Sequence, residues 1–204
     1  MKLITQYIIA LSNLYGVVHR AKVMEIYNNQ NKDKIKLSDI RGIVDNEESD
    51  LEKGSVEVYN EYFYNIGIEE IFELLEEKGQ KPYYIPPKEE LLKYVDDFYF
   101  EKNKEYEALV GFVEKHLIKS TPIKAQNLCF DIQGTVQFGG NIRNVIDLLD
   151  NYDVDFKNDK LINEFIQVVI NLINNTRIWE NNGYTPIELY EIYSKEKQGA
   201  ALRH

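Results

Sequence analysis

Metal chemistry needs several histidine, cysteine or carboxylate ligands converging at defined spacing. This 204-residue chain has three histidines, His19, His116 and His204, none at a paired spacing. Nucleophilic catalysis needs a serine or cysteine activated by a neighbouring base. The single cysteine lies in Asn127-Leu128-Cys129-Phe130, an apolar helical setting where a buried structural thiol is the default. His116 could reach it only through tertiary folding. There is no Gly-x-Ser-x-Gly, no Ser-x-x-Lys and no phosphate-cradling glycine loop. Adjacent acids occur at Glu69-Glu70, Glu76-Glu77, Glu89-Glu90 and Asp96-Asp97. Such pairs can divide general acid and base roles in a cleft, but on amphipathic helices they face solvent. The run Asp147–Asp155 lacks the central glycine and terminal glutamate of a calcium loop. The sequence therefore predicts no catalytic residue, no metal and no cofactor, and the expected protein is not an enzyme.

Binding chemistry is better represented. The net charge is −10, but it is unevenly spread. Residues 1–44 hold seven Lys/Arg against three Asp/Glu, whereas residues 45–108 hold seven Lys against nineteen Asp/Glu. An acidic whole argues against non-specific nucleic-acid binding, and the basic first segment reopens the question locally. Lys34, Lys36, Ser38 and Arg41 are the nucleic-acid candidates: an arginine can read guanine, while lysines and a serine position on phosphates. Glu57 and Glu61 stand where a DNA-binding wing often carries basic residues. Tyr59, Tyr62 and Tyr64 are the candidates for an apolar, protein-binding patch.

The elements that must position these residues are mainly helical. Ile4, Ile8, Leu11 and Leu14 mark a first helix ending near Gly16, and Val17-Val18 a short strand. A second helix follows His19, with Val23, Ile26 and Tyr27 inward. A third opens at Leu37-Ser38-Asp39, with Ser38 as cap and Ile40, Ile43 and Val44 buried. Val56–Tyr59 and Tyr62–Tyr64, separated by Asn60-Glu61, read as a β-hairpin. Helix, strand, helix, helix, hairpin is the order of a winged helix-turn-helix. The predicted fold class is mainly α with a small β-hairpin: a winged-helix-like α+β domain over residues 1–118, then a helical domain over 119–194 and a polar tail over 195–204. In the middle, Ile71, Phe72 and Leu75 share a helix face, and Tyr83-Tyr84-Ile85-Pro86-Pro87 breaks the helix. Tyr106, Leu109, Val110, Val113 and Leu117 belong to a longer one. Lys119-Ser120-Thr121-Pro122 is the clearest internal break. Further helices are expected around residues 123–137, 141–150 and 160–179.

The most ordered local signal lies near the end. Gly183 supplies a left-handed residue. Thr185 is an N-cap with Pro186 at the first helical position and Glu188 closing a capping box. Tyr184 and Leu189 occupy the positions of a hydrophobic staple. Trp179, the only tryptophan, is read as the anchor of this corner, and Arg177 as a support for nearby carbonyls or a carboxylate.

The run Asn174-Asn175-Thr176-Arg177-x-Trp179-x-Asn181-x-Gly183-x-Thr185-Pro186-x-Glu188-Leu189 is similar to the C-terminal segment of an uncharacterised protein family of low-GC Gram-positive bacteria. Lys81–Pro86, Lys88–Tyr94 and Leu11–His19 also resemble that family, so the likeness covers most of the chain. Some members end in a short zinc-binding tail of the SEC-C type, which this sequence lacks. The resemblance implies a fold and brings no activity. No run approaches the ~18 apolar residues of a membrane span, the N-terminus lacks a secretory signal, and one cysteine makes no internal disulfide. A cytoplasmic bacterial protein with a protein partner is expected, nucleic acid being the alternative through the basic segment, and no membrane.

Overall fold

A computed structural model of the chain describes residues 1–46, 48–119 and 121–201. It is mainly helical with a small three-stranded antiparallel sheet. By their contacts the residues form two units, Met1–Phe100 with Trp179–Gly183, and Glu101–Ile178 with the segment from Tyr184 on.

The first unit is built around α1 (Leu3–Tyr15), whose buried residues run almost unbroken from Ile4 to Tyr15. A helix enclosed on every side must satisfy its polar side chains internally. Ser12 donates to the Ile8 carbonyl at 2.8 Å. Asn13 donates to the Tyr94 carbonyl at 2.9 Å and accepts from Asn65 at 2.8 Å. Gly16, at φ +75°, ends the helix and leads into β1 (Val17–His19) and α2 (Arg20–Gln30). His19 caps α2 through Nδ1, which accepts from the Ala21 amide at 3.1 Å. An accepting Nδ1 requires the neutral imidazole, and burial followed by the Arg20 charge lowers the His19 pKa accordingly.

α3 (Leu37–Asn46) follows, then α4 (Glu48–Lys53). The start of α3 is not held by the expected Ser38: the Asp39 carboxylate accepts from the Lys36 amide at 2.7 Å. Ser38 lies exposed in the first turn. Ile40 and Ile43 are buried as expected, while Val44 is only half-buried. β2 (Val56–Tyr59) and β3 (Tyr62–Asn65) form the predicted hairpin, turned at Asn60 with φ +55°. The strand order is β1-β3-β2. Val18, Phe63 and Val58 align across the sheet on its core side. α5 (Ile71–Lys78) buries Lys78 and leaves Phe72 59% exposed, which corrects the inward placement of Phe72. After the proline break come α6 (Lys88–Leu91) and a 3-10 turn over Leu92–Val95.

The second unit begins earlier than residue 119. α7 (Lys104–Phe112) packs on α8 (Pro122–Gln137) and α10 (Asp159–Asn175), so it belongs with them rather than with the first unit. α7 runs into a π-helical turn over Val113–Leu117. α9 (Ile142–Asp150) carries a complete capping box between Asn141 and Asn144. α10 ends at Asn175, four residues short of Trp179, where Thr176 becomes extended and donates its hydroxyl to the Leu172 carbonyl at 2.9 Å. α11 (Pro186–Ala201) replaces most of the expected polar tail, because Lys, Glu, Gln and Ala are strong helix formers. Ser120 and residues 202–204 of the expected break and tail lie outside the described residues. No described helix is long and apolar enough to cross a membrane.

Candidate functional site

Cross-strand partners share one face of a sheet. Tyr62 stands opposite both Tyr59 and His19, and Tyr64 opposite both Glu57 and Val17. The outer face of the sheet therefore gathers all three predicted tyrosines. The His19 and Tyr62 rings meet edge-to-face at 5.1 Å, and Tyr59 meets Phe72 of α5 in the same manner at 5.9 Å. Tyr59 is 45% exposed and Tyr62 and Tyr64 are half-buried. Tyr64 donates its hydroxyl to Glu57 at 2.5 Å. That hydrogen bond, followed by burial and the Glu57 charge, raises the Tyr64 pKa. Residues 57–77 contain seven glutamates and no Lys or Arg, so the aromatic face lies in an acidic stretch of chain. Phe72 was missed as a surface aromatic, since its spacing fits a buried helix face.

The nucleic-acid candidates are not brought together in the same way. Lys34 folds back over the end of α2, donating to the Asn28 carbonyl and, at 2.7 Å, to that of Asn31. It is a helix cap. Lys36, Ser38 and Arg41 are exposed. Arg41 instead lines a cavity with Arg20, Asp45 and Glu61, a grouping that sequence spacing did not reveal.

The Trp179 corner is structural. Trp179–Asn181 form a 3-10 turn, followed by Asn182 at φ +49° and Gly183 at φ +80°. A Cβ on Gly183 would lie 3.1 Å from the Tyr15 ring, so position and conformation both favour glycine. The capping box is present: Thr185 Oγ1 accepts from the Glu188 amide at 3.2 Å, and Glu188 accepts from the Thr185 amide at 3.0 Å. Leu189 is buried. Arg177 joins Glu101 at 2.7 Å and Glu188 at 2.8 Å. Burial opposes its charged form, yet the hydrogen bonds and charges of Glu101 and Glu188 outweigh that and raise its pKa. Thr185→Ala is expected to cost about 1 kcal/mol through the lost cap, read as a lower denaturation midpoint. An unchanged midpoint would show that the Arg177–Glu188 pair alone holds the helix start.

Cys129 is fully buried, and burial followed by the Glu114 charge pushes its pKa up to about 12. At neutral pH it is a protonated thiol, a poor nucleophile. His116 packs its ring against Phe112 at 4.9 Å. No group of three or more His, Cys, Asp or Glu suited to a metal ion occurs among the described residues. No family model, curated protein or solved structure matches this chain.

Proposed function

We propose that the first unit is a winged-helix-like, non-enzymatic adaptor that binds a protein partner through the outer face of its sheet. The observation that carries this reading is the exposed aromatic surface of Tyr59 and Phe72, continued by Tyr62 and Tyr64 and belonging to a stretch of chain, residues 57–77, that holds seven glutamates and no Lys or Arg. Aromatic residues dominate interface energetics when a partner covers them. That acidic stretch favours a partner with basic residues beside apolar ones. The order α1, β1, α2, α3, α4, β2, β3, with β3 between β1 and β2, supports the winged-helix comparison, the short α4 being an addition before the hairpin. The resemblance to the bacterial family supplies no competing activity, and the single cysteine suits a cytoplasmic setting.

The alternative, a DNA-binding regulator using α3, draws support from the same element order and from exposed Lys36 and Arg41. Against it stand the hairpin glutamates and the occupied ammonium of Lys34. One experiment separates the two. Immobilised full-length protein is compared with a Tyr59→Ser/Phe72→Ser variant for capture of proteins from cells carrying the gene, and both are mixed with duplex DNA. The adaptor reading expects a protein retained by the parent and lost by the variant, with no DNA retardation at low salt. A salt-sensitive gel shift abolished by Lys36→Ala would establish the DNA reading instead, because each neutralised phosphate releases counterions.

A further inference from the structure

On the opposite side of the sheet from the aromatic face, a cavity of about 180 Å³ opens between α3 and the hairpin. Its apolar wall comes from Ile40 and Val44 of α3 and from Val58 and Phe63 of the strands. Two arginines, Arg20 and Arg41, also line it. Arg20 is 14% exposed and paired with Glu61. Its Nε–H is nonetheless buried with no acceptor, an unusual condition for so strong a donor. Arg41 makes no hydrogen bond or ion pair among the described residues. Burial first, and then the nearby Arg41 charge, lowers the Arg20 pKa, so the two cations feel each other across the cavity.

We infer that this cavity binds a small aliphatic monocarboxylate, held by Arg41 and Arg20 with its hydrocarbon body against Val44 and Val58. The arginine fork matches a carboxylate in shape and charge. An anion there relieves the repulsion between the two arginine charges. Asp45 and Glu61 also line the cavity and bring its formal charge to zero. They oppose a dianion such as phosphate far more than a monoanion. An apolar wall beside a few convergent polar groups is the general character of a small-molecule site. This inference is independent of the adaptor reading, since it uses the other face of the sheet.

The test is a titration of the full-length, ¹⁵N-labelled protein with 4-methylpentanoate, following the arginine Nε–H and backbone amide signals. The expected result is saturable movement of the Arg20 and Arg41 side-chain signals and of the Val58 amide. The neutral 4-methylpentanamide and inorganic phosphate should leave them in place. Arg41→Gln, at an exposed position, should keep the backbone spectrum and weaken binding about tenfold or more, the usual loss for a charge-assisted hydrogen bond. N-acetyl-leucine carries the same hydrocarbon body on a peptide-like arm and should bind more weakly. Equal affinity for N-acetyl-leucine would assign the site to a peptide terminus and overturn the small-acid inference. So would equal shifts with phosphate, no saturable shift, or unchanged affinity in Arg41→Gln.

Discussion

Truncating Trp179 to alanine is expected to destabilise the first unit by about 3–5 kcal/mol, the usual cost of removing a large aromatic from a packed interior. The indole is 6% exposed and donates Nε1–H to the Asn13 carbonyl at 2.9 Å. Asn13 is already committed through its side chain to Tyr94 and Asn65, so the truncation leaves a cavity and strips an acceptor at a three-way junction. Gly16 tests the same packing from the other side. A Cβ there would lie 2.7 Å from the indole ring at a φ of +75°, so Gly16→Ala must displace the ring as well as strain the backbone. Trp179 is the sole tryptophan, and its fluorescence reports this region directly in Gly16→Ala. Urea denaturation followed by circular dichroism serves for Trp179→Ala. Unchanged midpoints in both variants would mean that the indole is not packed as described, and would return it to the pool of binding residues.

Replacing Lys78 by methionine is the second large effect. Lys78 is almost wholly buried near the C-terminal end of α1, its ammonium donating to the Tyr15 carbonyl at 2.5 Å and the Val17 carbonyl at 2.7 Å. Carbonyls at a helix C-terminus carry partial negative charge, which explains how a lysine comes to be buried without a carboxylate partner among the described residues. Methionine fills similar space but leaves both acceptors unmet, at a cost on the order of 1–3 kcal/mol each. The parent protein also carries a pH signature. Burial pushes the Lys78 pKa from 10.5 down to about 7. Between those values the unfolded chain holds a proton that the folded chain has released, so stability rises with pH across this window. The contribution is complete above the unfolded pKa and is lost as pH falls towards about 7. Lys78→Met should remove that part of the slope. A variant with the parent's stability and slope would show that Lys78 is solvated.

The helices with clear apolar periodicity were legible in the sequence, and their relations to distant residues were not. Ile4, Ile8, Leu11 and Leu14 announced α1, and Gly16 its end. Nothing local showed that Asn13 would also be buried, since its partners Tyr94 and Asn65 lie far along the chain. The Thr185–Glu188 box was readable because a capping box is confined to four residues. The end of α10 was not, because the extended stretch after Thr176 interrupts a run with good helical residues on both sides. Lys78, just before a glycine, has the pattern of an ordinary solvated helix terminus, and only the fold brings α1's carbonyls to it. The tyrosines of the hairpin were found by alternation. The Arg20–Arg41 cavity was hidden because twenty intervening residues separate its cations and no short-range periodicity links them.

The membership of Trp179–Gly183 in the first unit has a consequence for how the chain is made. The rest of that unit is complete once Phe100 has left the ribosome, but its indole is encoded after the intervening 78 residues, 101–178. At ~5–20 residues per second, translation of that stretch takes roughly 4–16 s. Throughout that interval the nascent first unit has no indole for the Asn13 carbonyl or for the space above Gly16. The unit therefore cannot finish folding in the order in which it is synthesised, and a nascent chain stalled before Trp179 holds a first unit still missing its indole.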